Sequence, residues 1–262
     1  MKRISSQRRK ELELIARDRA SEVRRSWGLG IEPIADIFDL IERRIKNVIV
    51  LRFPSDSPKL SAFIAKANKD YLIYINSNTI LGHQIFSAAH EMSHYLYDCK
   101  DLKLLVCNPG EETEDEVEVL ANAFARYFLL PEEGVRHAFL SRFGLQRKIS
   151  YGHVMALQET FRVSYGAMLY ALMKYGIINS RVYGNLKKLA SPENTSLLQR
   201  YAKIFGVTDL ENPTEGQIPK KLVLALTSNY SEGRISYGKL KSILGLWGKK
   251  PEEMGFAHED PL

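Results

Sequence analysis

The spacing of apolar residues at the start of the chain predicts two helices. In residues 6–27 the apolar positions recur at roughly helical intervals, and Gly28 and Gly30 then interrupt the pattern. Pro33 marks the start of a second apolar pattern of the same kind. The apolar positions of the two predicted helices are Leu12, Ile15, Ala16, Val23, Ile34, Ile37, Phe38 and Ile41.

Three short runs after these helices have the composition of strands. Residues 48–53 form a β-rich run that stops at Pro54. Residues 60–65 and 71–75 are two further apolar runs, separated by the Asn-Lys-Asp sequence of residues 68–70. Because those residue types favour turns, the two runs are predicted to form a hairpin.

Two helices that carry polar residues follow the predicted strands. The first begins near Gly82 or His83 and ends at about Tyr97. We expect an irregular connection up to Gly110, and then a second helix over residues 114–129 that Pro131 stops. The first half of the chain is therefore predicted to be a small sheet packed on helices.

Beyond residue 131 the pattern predicts only short helices joined by polar turns. Residues 154–172 have the apolar spacing of a helix-turn-helix, with residues 162–164 as the turn. Residues 218–230 and 236–246 are predicted to form another helical pair.

The predicted fold class is α+β with an all-helical extension. A chain of 262 residues with 45% hydrophobic content can bury a substantial core. We expect three units: residues 1–135 with the sheet, residues 136–185 with the helix-turn-helix-like unit, and residues 186–262 as a C-terminal helical extension.

Composition and charge favour a protein of the cytoplasm. The longest apolar stretches are far shorter than the ~20 residues that cross a bilayer, and residues 5–11 are polar where a secretory signal needs an apolar run. Cys99 and Cys107 are too few for a disulfide framework. Much of the net charge of +6 lies in the first 25 residues, where acidic side chains are interspersed, so we expect a solvated helix there rather than a nucleic-acid patch.

The first of the two polar helices carries a His-Glu-x-x-His motif at residues 90–94. Residues four apart share a helix face, so the imidazoles of His90 and His94 can converge on one ion. Glu91 is then placed to reach a water molecule at the metal and act as general base. The geometry suits zinc, although manganese or another divalent ion could occupy such a site.

A catalytic zinc site needs a third protein ligand, which we expect from the second polar helix. Glu118 lies on one stripe of the second polar helix with Ala121, Asn122 and Ala125. The small alanine side chains of this stripe allow close approach to the first polar helix. Asn122 could hydrogen-bond a ligating histidine and fix its ring. Glu114 and Glu116 remain rival ligands, because neither helix phase nor loop length follows from the sequence. Cys99 and Cys107 match no strong zinc-binding spacing.

These residues together resemble the ImmA/IrrE family of metallopeptidases. The resemblance lies in residues 75–77 (Ile-Asn-Ser), 86–94 (Phe-Ser-Ala-Ala-His-Glu-Met-Ser-His), 118–125 and 129–131. This ordered set is far more specific than the five-residue motif alone, and it covers about residues 30–180. Two features depart from the family pattern: Ser93 stands where a glycine is common, and the acidic run before Glu118 is unusually dense.

The resemblance implies a compact zincin-like domain in which His90, His94 and Glu118 bind zinc and Glu91 activates water. It also implies the substrate, because family members are similar in cleaving helix-turn-helix (XRE-type) repressors and so derepressing mobile-element or stress genes. His137 and Tyr127 lie near enough to the motif in sequence to be candidates for stabilising the oxyanion of the reaction. We expect a packing or surface role for both.

A rival function is a non-catalytic regulatory module that binds DNA or a repressor through its helix-turn-helix-like unit. A helix that reads DNA should present Arg, Lys, Asn or Gln to base edges. Residues 165–173 offer none of these, and only Lys174 follows. We therefore expect this unit to pack or to dock protein, and we expect no direct DNA binding.

Overall fold

The computed structural model describes residues 4–57, 60–98, 115–145 and 148–256, together with the backbone of residues 104–107. Within these residues the fold is α+β: a four-stranded sheet is followed by an extension built of helices. None of the helices among the described residues combines the length and the apolar character that a membrane span requires.

The first helix, α1 (Ser6–Ser26), agrees with the prediction. Its start is fixed by Ser5, whose hydroxyl accepts a hydrogen bond from the Arg8 backbone N–H at 3.1 Å. One side of the helix is buried, and two of its buried residues are Ala16 and Ala20. Small side chains on this side allow α1 to lie along α4 (Glu116–Leu129), which carries the predicted third ligand.

The second helix, α2 (Ile37–Arg44), begins later than predicted. Asp36 is its N-cap, and the Asp36 carboxylate accepts from the backbone N–H groups of Phe38 and Asp39. Pro33 therefore precedes the helix by several residues. A capping carboxylate satisfies two N–H groups that have no partner inside the helix, which is why the boundary falls at Asp36.

The sheet has the strand order β1-β3-β2-β4, with strands β1 (Val48–Phe53), β2 (Ala62–Ala67), β3 (Asp70–Asn76) and β4 (Leu104–Cys107). Strands β2 and β3 form the predicted antiparallel hairpin, and Asn68 in its turn adopts a positive φ of 57°. Strand β1 runs parallel to β3, so that Val48 lies opposite Tyr71.

The irregular connection predicted before Gly110 was wrong in part, because it contains β4. This strand pairs antiparallel with β2, Leu105 lying opposite Ile64. Four residues are too few to show a periodic pattern, and their strand conformation depends on a partner distant in sequence.

The motif helix is α3 (Leu81–Tyr97), and it packs against β2, β3 and α4. The next polar helix, α4, begins at Glu116, where the Asp115 carboxylate accepts from the Val117 backbone N–H. The start predicted near Glu114 lies outside the described residues. Asp115, one residue before the helix, is the cap that the structure places there.

The extension contains seven helices of eight residues or more within the described part of the chain. They are α5 (Glu132–Phe143), α6 (Tyr151–Phe161), α7 (Tyr165–Lys174), α8 (Ser180–Lys187), α9 (Thr195–Ile204), α10 (Lys220–Ser231) and α11 (Tyr237–Leu244). Helices α6 and α7 are the predicted helix-turn-helix-like pair. Arg162, the residue that follows α6, has a left-handed backbone conformation, and Ser164 is the N-cap of α7.

One continuous hydrophobic core joins the sheet to most of the extension. It reaches from Ala16 in α1 to Leu210, and it includes buried residues of α6 and α7 such as Phe161 and Met168. A second, smaller cluster is formed around Leu240 in the α10–α11 pair. The boundaries of the three predicted units stay a prediction.

The start of α3 is fixed by segments from the far end of the chain. The Leu81 backbone N–H donates to the Asn212 carbonyl at 2.9 Å, and the Thr214 hydroxyl donates to Gln84 at 3.1 Å. On another side, Gly82 lies so close to the turn before α7 that a Cβ atom there would be 2.5 Å from the Ser164 backbone nitrogen. The extension therefore contributes to the placement of the motif helix.

Candidate metal centre

The motif residues of α3 are buried where this helix packs against the sheet and α4. His90, Glu91 and His94 are all fully buried. A buried imidazole pair beside a carboxylate is costly to desolvate unless polar or charged partners compensate. The surroundings of these three residues therefore determine what the site can bind.

The donor atoms of three side chains converge, as the sequence predicted. His90 Nε2 lies 3.0 Å from His94 Nε2. The Glu118 carboxylate of α4 lies 3.3 Å from His90 Nε2 and 3.4 Å from His94 Nε2. Ligand atoms bonded to zinc at about 2.0–2.1 Å in a tetrahedron are separated by about 3.3 Å from one another. The three side chains could therefore hold a metal ion.

Of the two rival candidates for the third metal ligand, Glu116 lies within the described residues and Glu114 does not. Glu116 faces away from the histidines and forms a two-pronged pair with Arg8 of α1, with Arg8 Nε donating to Oε1 at 2.9 Å and the terminal guanidinium nitrogen to Oε2 at 2.6 Å. Glu114 and Cys99 lie outside the described residues, as does the side chain of Cys107. Among the described carboxylates, Glu118 is the one that meets both histidines.

Each histidine has a second contact on its other ring nitrogen. His90 Nδ1 lies 3.0 Å from Asn122 Oδ1, which is the contact that the sequence predicted for Asn122. His94 Nδ1 lies 2.8 Å from Asp98 Oδ2, a partner that the sequence analysis missed. Asp98 stands four residues after His94, so helical spacing alone could have indicated it. An acceptor at Nδ1 fixes the ring and leaves Nε2 to face an ion.

The pKa values of His90, His94 and Glu118 are shifted by burial and by the contacts among these side chains. Burial lowers the pKa of His90 below its ordinary value. Burial also opposes the charged form of His94, but hydrogen bonds to Asp98 and Glu118 and the charge of Glu91 together raise the His94 pKa to about 9. Although burial alone would raise the pKa of Glu118, its two histidine partners hold it well below the usual range. A positive charge is thus favoured between these side chains.

Glu91 is close enough to His94 for its charge to help raise the pKa of that imidazole. It follows His90 in α3 and is fully buried. A buried carboxylate whose charge acts on His94 is suited to accept and return a proton.

The two candidates for oxyanion stabilisation have other contacts. His137 is exposed on α5, with its Nε2 3.5 Å from the Ser141 hydroxyl. The Tyr127 hydroxyl donates to Glu13 of α1 at 3.2 Å. The contacts of both fit the expected packing or surface roles.

A groove of about 1610 Å³ is lined in part by His83, Phe86, Val119 and Asn122, and Asn122 contacts the candidate ligand His90. His83 precedes His90 by two helical turns on α3 and was missed by the sequence analysis. Burial and the neighbouring charge of His90 lower the pKa of His83, which favours a neutral imidazole. The seven-residue spacing is the sequence signal that could have found it.

The partly exposed side of the helix-turn-helix-like unit lines the same groove. In α7, Tyr165, Met168 and Leu172 are buried in the core. The groove is lined from α7 by Gly166, Ala167, Tyr170 and Lys174.

Comparison with known proteins gives one family match. Residues 44–173 match the peptidase family model described as the IrrE N-terminal-like domain. The matched segment contains α3, α4, α6 and all of α7 but its last residue, and so includes all three residues whose donor atoms converge. No curated protein matches the chain.

Proposed function

The chain belongs to the ImmA/IrrE family of metallopeptidases, and on that premise we propose that it is a zinc-dependent endopeptidase with His90, His94 and Glu118 as metal ligands. The observation that carries the proposal is the convergence of the three donor groups at separations of 3.0–3.4 Å. These separations fit a tetrahedral zinc ion with three protein ligands and one open position.

The donor set favours zinc, while leaving room for other ions. Two imidazole nitrogens and a carboxylate oxygen match the ligands of catalytic zinc sites. Manganese or another divalent ion is the alternative, because metal availability as well as affinity determines occupancy in cells. Asn122 and Asp98 would hold the histidine rings in the orientation that presents Nε2 to the ion.

When bound, zinc lowers the pKa of a water molecule toward ~7 and polarises a carbonyl group. Glu91 accepts the proton of the attacking water and returns it to the nitrogen of the leaving amine. His90, His94 and Glu118 keep their donor atoms fixed throughout. The reaction is hydrolysis of a peptide bond, in which water supplies a hydroxyl to the new carboxyl group and a proton to the new amine.

The proposed substrate is a helix-turn-helix repressor, whose cleavage would derepress mobile-element or stress genes. This part of the proposal rests on family membership, because repressor cleavage is what the family resemblance implies. The cytoplasm, where such a repressor acts, is the corresponding compartment and stays a prediction.

The alternative is a regulatory module that binds DNA or a repressor without cutting it. Lys174, at the end of α7, is the one Arg, Lys, Asn or Gln on that helix that could read base edges, and the less buried side of α7 lines the groove that includes Asn122. These observations favour contact with a protein chain over contact with DNA.

A cleavage assay separates the two functions. The purified chain is incubated with candidate repressors, beside a Glu91→Gln variant and a Glu133→Gln control at an exposed position of α5. The peptidase proposal predicts cleavage by the wild type and the control. It predicts that the cleavage rate falls by at least about 100-fold in Glu91→Gln. Equal cleavage by Glu91→Gln would refute the general-base role.

A further inference from the structure

The groove beside the metal ligands is larger than a site for a small molecule. Its volume of about 1610 Å³ exceeds the ~300–1,000 Å³ typical of such sites. Helices α1, α3, α4, α7 and α8 line it, and its lining includes Asn122, whose side chain contacts His90. A polypeptide segment that crosses the metal site could continue along this groove.

The lining of the groove is strongly cationic. Among the described residues that line it, the cationic side chains are Arg9, Lys10, Arg126, Lys174 and Lys187, and the one carboxylate is that of Glu13. Two of the five cations, Arg126 and Lys174, share the Glu13 carboxylate. Among the described lining residues, five cationic side chains therefore stand against one carboxylate.

Aromatic rings hold three of these cations in place. The Tyr170 ring lies 5.4 Å from the Arg126 guanidinium and 5.7 Å from Lys174 Nζ. The Lys187 ammonium lies 5.8 Å from the Tyr183 ring. These distances are within the range of cation–π attraction, so the positive charges are positioned before any ligand arrives.

The size of the groove, the charge of its described lining, and the contact of its lining residue Asn122 with His90 indicate one kind of occupant. We infer that the groove binds an acidic segment of the protein substrate and so positions a neighbouring peptide bond at the metal site. This inference rests on the proposed peptidase function and adds a substrate class to it. Carboxylates spaced along an extended segment can meet the fixed ammonium and guanidinium groups in turn.

The test measures binding separately from cleavage. Fluorescence anisotropy of the full chain carrying Glu91→Gln is recorded with a labelled peptide of alternating glutamate and serine, and with a twin that has glutamine for glutamate. We expect the acidic peptide to bind about tenfold more tightly, and the difference to shrink at high salt. Because no peptide bond is cut, failure here leaves the proposed chemistry untouched, and failure of cleavage leaves this result untouched.

Charge reversal locates the binding. Lys10 and Lys187 are exposed on the groove wall, whereas Lys239 and Lys241 lie on α11, outside it. Lys10→Glu with Lys187→Glu should remove most of the preference for the acidic peptide, while Lys239→Glu with Lys241→Glu should leave it unchanged. Circular dichroism confirms that each variant is folded.

Three results would overturn the inference. The first is equal binding of the acidic peptide and its glutamine twin. The second is an equal loss in both double variants, which would mean that overall charge rather than the groove attracts the peptide. The third is tighter binding of an oligothymidylate of matched charge, which would indicate a nucleic acid as the occupant.

Discussion

Arg8 of α1 donates two hydrogen bonds to the Glu116 carboxylate of α4. Glu118, two residues after Glu116, faces the histidines of α3. Residues two apart on a helix point in different directions, so one acid can face solvent and α1 while the other faces the two histidines of the candidate metal site. The pair therefore defines which of the neighbouring glutamates is available as a ligand.

The contacts behind the histidines should tune metal affinity. We expect Asn122→Ala and Asp98→Ala each to weaken zinc binding by about 10–100-fold, because each removes the acceptor that orients an imidazole. Competition with a chromophoric chelator measures the affinity. Asp98→Asn keeps an acceptor oxygen and should recover most of the loss, and equal weakening by Asp98→Asn and Asp98→Ala would count against an orienting role.

The close approach of α3 to the turn before α7 should make Gly82 intolerant of a side chain. A Cβ atom on Gly82 would lie 2.5 Å from the backbone nitrogen and 2.7 Å from the Cα of Ser164, neither of which is free to move aside. We expect Gly82→Ala to destabilise the fold by about 1–3 kcal/mol in urea unfolding.

Gly184 in α8 is the matched control, because a Cβ there meets nothing within 4 Å. Gly184→Ala should stabilise the protein by up to about 1 kcal/mol through helix propensity. A Gly82→Ala protein as stable as the wild type would show that α3 and the turn do not pack as tightly as described.

Glu13 should contribute a pH-dependent share of the stability. Although burial opposes its charged form, Arg126 and Lys174 lower the Glu13 pKa below the unfolded value of 4.5. The unfolded chain therefore binds this proton first as the pH falls. The contribution is fully present above about pH 4.5 and is lost as the pH falls through the lower folded pKa.

Replacing Glu13 should remove that share. Glu13→Gln leaves the buried Arg126 without its carboxylate partner, at a cost of about 2–3 kcal/mol at neutral pH that diminishes in acid. Glu22→Gln, on an exposed position of the same helix, should cost little at any pH. Unfolding curves at a series of pH values decide, and a Glu13→Gln penalty that persists unchanged in acid would contradict the assignment.

The sequence was sufficient for features set by local spacing. The four-residue interval between His90 and His94 places both imidazoles on one face of any helix, and the hairpin turn at Asn68 follows from its residue types. Asp98 and His83 are features of the same kind, since Asp98 stands one helical turn from His94 and His83 two turns from His90.

Features that depend on distant partners could not be predicted in this way. The stripe of residues 118–125 favoured Glu118 but could not exclude Glu116, because that exclusion depends on the phase of α4 and on Arg8, more than a hundred residues earlier. Strand β4 pairs with the edge of β2, and the groove is lined by residues of α1, α4 and α7, which are far apart in sequence. Such contacts are properties of the folded chain rather than of any local pattern.

The metal content of purified protein tests the central claim most directly. Native mass spectrometry of the wild type, Glu118→Ala and Glu116→Ala identifies the bound ion by mass and counts it. The proposed site predicts one zinc in the wild type and in Glu116→Ala, and little in Glu118→Ala. Full zinc in a folded Glu118→Ala protein, or a folded wild type that takes up no divalent ion when zinc is supplied, would contradict the metal centre described here.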